Sequence, residues 1–140
     1  MCSGPYDRIV LKTVLIVEDD PDLVNALGEM LQEEGFAAVP SSRVADAQYK
    51  LGNQRYDCIL IDVRLGNGSG LKVVQGIRNE TTKESLNFTT PIILMSGALD
   101  PEIVKTAAKQ VQAIIAKPFD TELLINKIRE LASAPRPARA

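Results

Sequence analysis

The chain has 140 residues, which is enough for one domain with a hydrophobic core and too few to predict two domains. Its 16 basic and 18 acidic side chains give a net charge of -2, so no electrostatic argument favours a nucleic-acid-binding face. Because the chain has no histidine, histidine-based catalysis and zinc sites with histidine ligands are excluded.

The first apolar run, residues 14–17, predicts a buried strand that leads into a helix. Asp20-Pro21 is typical of a helix start, because aspartate caps free backbone N–H groups and proline suits the first helical position. Gly35 ends the predicted helix, and residues 36–39 predict a short second strand. The helix carries apolar residues at helical spacing: Val24, Leu27 and Leu31.

A second predicted helix is capped by Ser41 or Ser42 and ends near Gly52. The next apolar run, residues 58–63, predicts a third strand and contains one acid, Asp62. No Gly-Lys-Ser/Thr sequence of a phosphate-binding loop follows this strand, so the glycines after it predict a flexible turn. These glycines are Gly66, Gly68 and Gly70.

The rest of the chain continues the alternation of strands and helices. Residues 79–90 are polar and predict a long surface loop. The remaining predicted elements are a helix with Leu71, Val74 and Ile77, a strand over 92–95, a helix from Asp100-Pro101 to about Lys109, a strand over 113–116, and a helix capped by Asp120 that carries Leu124, Ile128 and Leu131.

Short apolar strands separated by helices predict a parallel sheet covered by helices on both faces, since parallel strands need crossover connections. The predicted fold class is α/β, with a single doubly wound five-stranded parallel sheet. Periodicity does not fix the strand order, and we expect 2-1-3-4-5 because it is the commonest order for five such units. We expect the domain to span residues 12–132, with an N-terminal extension at 1–11 and a tail or linker at 133–140.

Polar side chains follow the carboxyl ends of the predicted strands. Glu18 and Asp19 follow the first strand, and Asp62 stands at the end of the third. Ser96 and Lys117 stand at the ends of the fourth and fifth strands. Right-handed crossovers bring all these ends to one edge of the sheet, where such sheets bind their ligands. The sequence therefore predicts one site assembled from distant segments.

Three carboxylates at one edge repel each other unless a cation lies between them. Oxygen ligands in an open site suit Mg²⁺, or Mn²⁺, better than zinc. Asp62 could then act as a nucleophile toward a phosphoryl group and form an aspartyl-phosphate, while Lys117 and Ser96 contact phosphoryl oxygens. Taken singly, Ser96 and Lys117 have an ordinary explanation as strand-end residues, so the prediction depends on the conjunction of all five residues.

The two cysteines indicate neither a disulfide framework nor a metal site. Cys58 falls inside a predicted buried strand, and Cys2 lies near the amino terminus. No apolar run reaches the roughly 20 residues that a membrane span needs, and the amino-terminal segment lacks the apolar centre of a signal peptide. We therefore expect a cytoplasmic protein.

Four segments together resemble the response regulator receiver domain of two-component signalling, over about residues 12–132. That family has an acidic pair after the first strand, a phospho-accepting aspartate after the third, a Ser/Thr after the fourth and a Lys-Pro after the fifth. The matching segments are Val-Leu-Ile-Val-Glu18-Asp19-Asp20-Pro21, Ile-Leu-Ile-Asp62, Pro91-Ile-Ile-Leu-Met-Ser96-Gly97 and Ala-Lys117-Pro118-Phe119.

The resemblance implies a flavodoxin-like (βα)5 fold, similar to chemotaxis regulators, and a regulatory domain rather than an enzyme. It implies that Asp62 accepts the phosphoryl group and that a cis peptide before Pro118 aims Lys117 at the site. The implied Mg²⁺ ligands are the side chains of Glu18, Asp19 and Asp62 and the backbone carbonyl of Arg64.

The implied partners are a sensor histidine kinase or phosphotransfer protein as donor and an output protein or domain as target, with a homodimer as a further option. We expect no direct contact with nucleic acid or membrane. Two positions depart from the family pattern. Gly66 replaces a proline that is often found there, which predicts a more mobile loop. Ile114 replaces an aromatic residue, so we expect output through the face of the fourth helix, fifth strand and fifth helix without an aromatic switch.

Two alternatives use the same residues differently. The chain could be a receiver-like protein-binding module that phosphorylation does not regulate, although the complete set of acids, serine and lysine disfavours it. A hydrolase of the haloacid type would need a second aspartate two residues after the nucleophile, and Arg64 occupies that position.

Overall fold

The computed structural model describes residues 11–66, 68–98 and 100–134. Five strand-helix units follow one another along the chain. The strands are β1 (Thr13–Val17), β2 (Ala37–Ser41), β3 (Cys58–Asp62), β4 (Ile92–Ser96) and β5 (Ala113–Ala116). The helices are α1 (Pro21–Glu33), α2 (Val44–Asn53), α3 (Gly70–Arg78), α4 (Pro101–Ala107) and α5 (Thr121–Ser133).

The five strands form one sheet in which every neighbouring pair is parallel, in the order β2-β1-β3-β4-β5. The predicted α/β class and the predicted strand order are both confirmed. The register aligns Val17 with Ile61, Asp62 with Met95, and Ser96 with Ala116. The carboxyl ends of β1, β3, β4 and β5 therefore lie side by side at one edge.

Each face of the sheet is covered by its own group of helices, so successive strand residues enter different cores. Leu15 and Ile59 pack with α2, α3 and α4, whereas Ile16 and Leu60 pack with α1 and α5. This double burial explains why the strands read as continuous apolar runs instead of alternating ones. Cys58 lies in the second core, and burial raises the pKa of its thiol to about 12.

Three helices begin with the predicted aspartate caps. The carboxylate of Asp20 accepts the N–H of Asp22 at 3.1 Å, and Asp100 and Asp120 make equivalent bonds at the starts of α4 and α5. Gly35 follows α1 with a φ of 87°, a left-handed conformation that favours glycine. These acids are therefore used in capping, as their positions predict.

The predicted start of α2 is wrong. Its N-cap is Arg43, without a side-chain capping bond, and not Ser41 or Ser42. Ser41 instead ends β2, and its hydroxyl donates to Asp46 at 2.7 Å. Ser41 does not cap the helix because its backbone belongs to the sheet: it pairs with Val17, and its carbonyl accepts the N–H of Glu18 at 3.0 Å.

The carboxyl-terminal helices end at different residues from those predicted. Helix α4 stops at Ala107, before the predicted end near Lys109, while α5 continues to Ser133. Ser133, the first residue of the predicted tail, is therefore still helical, because the preceding Ala132 is buried against the core. Most of the predicted extension and tail lies outside the described residues, and the domain division remains a prediction.

None of the helices in the described ranges is long and apolar enough to cross a membrane.

The segment 79–90, predicted as a surface loop, contains a short 3₁₀-helix, Lys83–Asn87, and buried polar side chains. Asn87 is fully buried, and its side chain hydrogen-bonds to three backbone groups near the amino end of β3. Its amide oxygen accepts the N–H of Tyr56 at 2.7 Å, and its amide nitrogen donates to the carbonyls of Leu51 and Gln54 at 2.8 Å each. The prediction of a long surface loop holds for the exposed residues 79–81 and is wrong for the 3₁₀-helix, which packs on α2 and α3.

Arg78, the last residue of α3, ties the same segment to the rest of the fold. Its guanidinium donates to the carbonyls of Gln110, Phe88 and Thr90 at 2.9, 2.7 and 3.0 Å. A fourth bond, at 3.1 Å, reaches the side chain of Gln112. These four acceptors are neutral, and burial lowers the pKa of Arg78 to about 10.

Candidate functional site

The predicted site residues meet at the carboxyl edge of the sheet. Glu18 directly follows β1, Asp62 ends β3, Ser96 ends β4 and Lys117 directly follows β5. The N–H of Lys117 donates to the carbonyl of Ser96 at 2.7 Å, which continues the pairing of β4 and β5 to this edge. Parallel pairing alone therefore places residues that are up to 99 positions apart in the chain next to one another.

Glu18 is a buried carboxylate with three hydrogen-bond donors around it. Its Oε2 accepts the backbone N–H groups of Asp19 at 3.0 Å and of Asp20 at 3.2 Å, and its Oε1 accepts from Lys117 Nζ. Only 1% of the residue is exposed. Burial raises the pKa of Glu18, and the hydrogen bonds from Lys117 and Asp20 offset only part of this effect. Glu18 is thus fixed in position by its neighbours.

Lys117 bridges the two buried acids of the site. Its Nζ donates to Asp62 Oδ2 at 2.9 Å as well as to Glu18, and 22% of its side chain is exposed. Burial lowers the pKa of Lys117, but the hydrogen bonds and charges of Asp62 and Glu18 outweigh it, so the net pKa is raised. The peptide between Lys117 and Pro118 is cis, as the family resemblance implies. The lysine is therefore a fixed cation between two carboxylates.

The three predicted metal ligands form one cluster. Carboxylate oxygens of Glu18, Asp19 and Asp62 lie within 4.8 Å of one another. The ammonium group of Lys117 contacts two of these three carboxylates, so the three ionised carboxylates and this one cation leave two negative charges uncompensated. Hard oxygen donors with two excess negative charges suit a divalent cation such as Mg²⁺. The residues present therefore fit the metal that the sequence predicts.

A short hairpin closes one side of this cluster. Arg64–Leu65 pairs with Gly68–Ser69 in an antiparallel ladder directly after Asp62. The N–H of Arg64 donates to Asp62 Oδ1 at 3.1 Å, and the N–H of Gly66 donates to Asp19 Oδ2 at 2.5 Å. Backbone N–H groups of the hairpin thus hold the carboxylates of Asp62 and Asp19.

The glycines of this hairpin are packed, which sequence reasoning did not predict. A Cβ on Gly70 would lie 2.0 Å from the carbonyl oxygen of Asp62, and one on Gly68 would lie 3.1 Å from a methyl group of Val44. A Cβ on Gly66 would lie 2.9 Å from Asp19 Oδ2. In the sequence, this packing is indicated by glycine at every second position. The close approach of neighbouring atoms explains why these positions have no side chain, whereas a flexible turn would not require glycine at each of them.

Ser96 is buried at the edge, but its hydroxyl is engaged within its own loop. Its Oγ donates to the carbonyl of Ala98 at 2.7 Å and accepts the N–H of Ala98 at 3.2 Å. Within the described part of the chain the hydroxyl therefore makes no hydrogen bond to the carboxylates, and a contact with a phosphoryl group would require it to leave the carbonyl of Ala98. Ile114 is half-buried and packs against the core that α4 covers.

Replacing Lys117 with methionine should destabilise the metal-free protein by about 2 kcal/mol. A buried charge that loses its partner costs about 3–5 kcal/mol, and the partial exposure of Lys117 reduces this value. Because burial raises the pKa of Glu18 above its ordinary 4.5, the deficit should shrink as the pH falls towards 4.5 and Glu18 takes up a proton. Urea unfolding in EDTA at pH 7 and pH 5, followed by circular dichroism, measures both effects.

Two further variants test the origin of this destabilisation. Adding Asp62→Asn to Lys117→Met should restore about 1 kcal/mol, because one of the two repelling charges is removed. The control is Lys127→Met, whose exposed pair with Glu130 at 3.5 Å should change stability by less than about 0.5 kcal/mol. A Lys117→Met protein as stable as the Lys127→Met protein would contradict the bridging role.

A doubly wound parallel sheet with three acids, a serine and a lysine at one carboxyl edge defines the class of phosphorylation-activated switch domains. The family model described as response regulator receiver domain matches residues 14–129. The chain belongs to the response regulator receiver domain family, and it is a regulatory domain of two-component signalling.

Three known proteins illustrate the similarity. The chain is 32% identical over 117 residues to the cell cycle transcriptional regulator CtrA of Caulobacter vibrioides, and this match covers 82% of the chain and 48% of CtrA. A CheY-like receiver domain protein from Methanospirillum hungatei superposes with a TM-score of 0.79 at 22% identity, over 88% of this chain and 94% of that one.

The third is the receiver domain of the sensor histidine kinase PA1611 from Pseudomonas aeruginosa, which has a magnesium ion coordinated in its active site cleft. It superposes with a TM-score of 0.76 at 23% identity, over 89% of this chain and all of that chain. The two superpositions show the shared fold. The chain spans about half the length of CtrA and between 13% and 55% of several other curated relatives.

Proposed function

We propose that Asp62 accepts a phosphoryl group from the phosphohistidine of a sensor histidine kinase or a phosphotransfer protein. The observation that carries this proposal is the contact of Lys117 with both Glu18 and Asp62, next to the carboxylate of Asp19. At the edge of the sheet, Oδ2 of Asp62 accepts from the ammonium group of Lys117 and Oδ1 accepts from the N–H of Arg64. This arrangement orients a nucleophile toward a donor that approaches the edge.

In the proposed transfer, a carboxylate oxygen of Asp62 forms a bond to phosphorus as the phosphorus–nitrogen bond of the donor breaks. The histidine nitrogen keeps the electron pair of that bond and takes up a proton. The product is an acyl phosphate on Asp62. Lys117 then exchanges its bond to the free carboxylate for one to a phosphoryl oxygen, since a phosphoryl group carries more negative charge than the carboxylate it replaces.

Glu18, Asp19, Asp62 and the backbone carbonyl of Arg64 are the proposed ligands of Mg²⁺, or of Mn²⁺. When bound, the cation supplies charge stabilisation to the oxygens of the transferring group. The support from this chain is the three-carboxylate cluster and its two excess negative charges. The magnesium-containing receiver domain of PA1611 adds support from the same fold.

Ser96 is the proposed link between phosphorylation and output. Its hydroxyl can donate to a phosphoryl oxygen only after it releases the carbonyl of Ala98, and Ala98 lies three positions before Pro101, the first residue of α4. Movement of this loop would alter the face formed by α4, β5 and α5. We propose that an output protein or domain, or a second copy of the chain, binds this face.

Because a donor kinase acts in the cytoplasm, we propose that this chain is also located there. We propose that it makes no direct contact with nucleic acid or membrane.

Phosphorylation of the intact chain should require a divalent cation. Incubation with acetyl phosphate and Mg²⁺ should add one phosphoryl group by intact mass spectrometry, Mn²⁺ should substitute for Mg²⁺, and EDTA should reduce the labelling to background. The expected dependence follows from the uncompensated charge of the three carboxylates, which repels an anionic donor. Equal labelling in EDTA would contradict the metal site. Absence of labelling with both acetyl phosphate and phosphorylated donor proteins would favour the alternative of a binding module without phosphorylation.

A further inference from the structure

The hairpin after Asp62 contacts two different carboxylates through backbone N–H groups that are two residues apart. Arg64 donates to Asp62, the proposed phospho-acceptor, and Gly66 donates to Asp19, a proposed metal ligand that lies on another strand end. The Gly66 bond joins residues 47 positions apart and is 2.5 Å long. The hairpin therefore donates to two carboxylates that β1 and β3 bring to the edge.

The hairpin is anchored, so the N–H of Gly66 has a defined position. The side chain of Leu65 is buried in the core that α2, α3 and α4 cover. The N–H of Gly70 donates to the carbonyl of Val63 at 2.8 Å, which closes the base of the hairpin. Leu65 also pairs with Gly68 across the ladder. A backbone donor on such a support loses little freedom when it binds a carboxylate.

The space around Gly66 is limited by one atom. A Cβ at this position would meet Asp19 Oδ2 at 2.9 Å, and among the described residues outside its immediate chain neighbours no other atom lies within 4 Å of it. Asp19 is exposed, so a side chain at position 66 would displace this carboxylate without disturbing the core. Glycine at position 66 therefore affects Asp19 Oδ2 in two ways. Its N–H group donates to this oxygen, and its lack of a side chain leaves room for it.

We propose that Gly66 is a positioning residue for metal binding, which holds the Asp19 carboxylate within the cluster. This inference rests on the proposed Mg²⁺ site. An exposed aspartate samples several rotamers, and ordering it on metal binding costs free energy. The Gly66 N–H selects one rotamer beforehand, and a carboxylate that accepts one N–H retains acceptor capacity for a cation. Proline at position 66 would have no N–H group to give.

The test measures Mg²⁺ affinity in the absence of any phosphoryl donor, by following backbone amide resonances during a titration. Gly66→Ala keeps the N–H but places a Cβ against Asp19 Oδ2, and Gly66→Pro removes the N–H. Each should weaken Mg²⁺ binding about tenfold, since loss of a group that orients a metal ligand typically costs 10- to 100-fold. Gly68→Ala is the matched control in the same hairpin, where the added Cβ faces Val44, and its affinity should stay within about twofold of the parent.

Two readouts separate positioning from a general loss of structure. The urea midpoints of the Gly66 variants in EDTA should match that of the parent. The Mg²⁺ concentration for half-maximal phosphorylation should rise about tenfold while the rate at saturating Mg²⁺ stays unchanged. If Gly66→Pro does not fold, Gly66→Ala alone decides the outcome. Parent-like Mg²⁺ affinity in the variants would overturn this inference and leave the metal site intact, whereas a parent that binds no Mg²⁺ would overturn both.

Discussion

Replacing Asp62 with asparagine should abolish phosphorylation of the chain by acetyl phosphate or by a donor kinase. The side chains have nearly the same shape, so the amide oxygen can still accept the hydrogen bond that Lys117 makes at 2.9 Å. A neutral amide lacks the anionic oxygen that forms the acyl phosphate. Intact mass spectrometry in the presence of Mg²⁺ should therefore show one added phosphoryl group for the parent and none for the variant.

The control for this experiment is Asp100→Asn, which changes another carboxylate close to the same edge of the sheet. The carboxylate of Asp100 caps α4 by accepting the N–H of Glu102 at 2.9 Å, and asparagine caps helices about as well as aspartate. Asp100→Asn should thus be labelled at the parental rate. Parental labelling of Asp62→Asn would show that another residue accepts the phosphoryl group, and peptide mapping would identify it.

Replacing Asn87 with alanine should reduce the free energy of unfolding by about 3 kcal/mol. The buried side chain satisfies the N–H of Tyr56 and the carbonyls of Leu51 and Gln54, and alanine leaves all three without this partner. Each buried polar group that loses its partner costs about 1–3 kcal/mol. Urea unfolding followed by circular dichroism measures the change.

The matched control is Asn53→Ala on the neighbouring helix α2. The amide nitrogen of Asn53 donates to the carbonyl of Tyr49 at 2.6 Å, but this residue is exposed, so water can replace the bond. Its effect should stay below about 0.5 kcal/mol. Asn87 lies near the amino ends of β3 and β4, opposite the site, so folded Asn87→Ala should accept phosphate at the parental rate. A loss of stability no greater than that of Asn53→Ala would show that the buried network contributes little.

The sheet and the positions of the site side chains could be predicted because their signals are local. Continuous apolar runs identify buried parallel strands, and Asp20-Pro21 and Asp100-Pro101 identify helix starts by the chemistry of their own backbone. Once parallel strands are predicted, the acids at their carboxyl ends must share an edge. Thus the proximity of Glu18, Asp19 and Asp62 followed from the strand assignments.

The features that the sequence did not predict depend on backbone groups, which carry no residue signature. Asn87 is polar, and only the fold shows that its partners are a carbonyl of α2 and an N–H group of the segment that follows this helix. The N–H of Gly66 likewise reaches Asp19 across 47 positions. The predicted start of α2 was wrong because the backbone of Ser41 extends β2 and pairs with β1, which capping rules do not consider.

The polar segment 79–90 also bears on where this chain tolerates engineering. Its polar composition suggests a suitable place to insert a reporter peptide or to break the chain for circular permutation, since such changes usually succeed in exposed polar loops. Here the carbonyls of Phe88 and Thr90 are acceptors for the half-buried guanidinium of Arg78. A break beside them would displace two of the four acceptors of this partly buried charge, which is costly. The segment is therefore part of the minimal folding unit, and a permuted or tagged protein needs its new termini elsewhere.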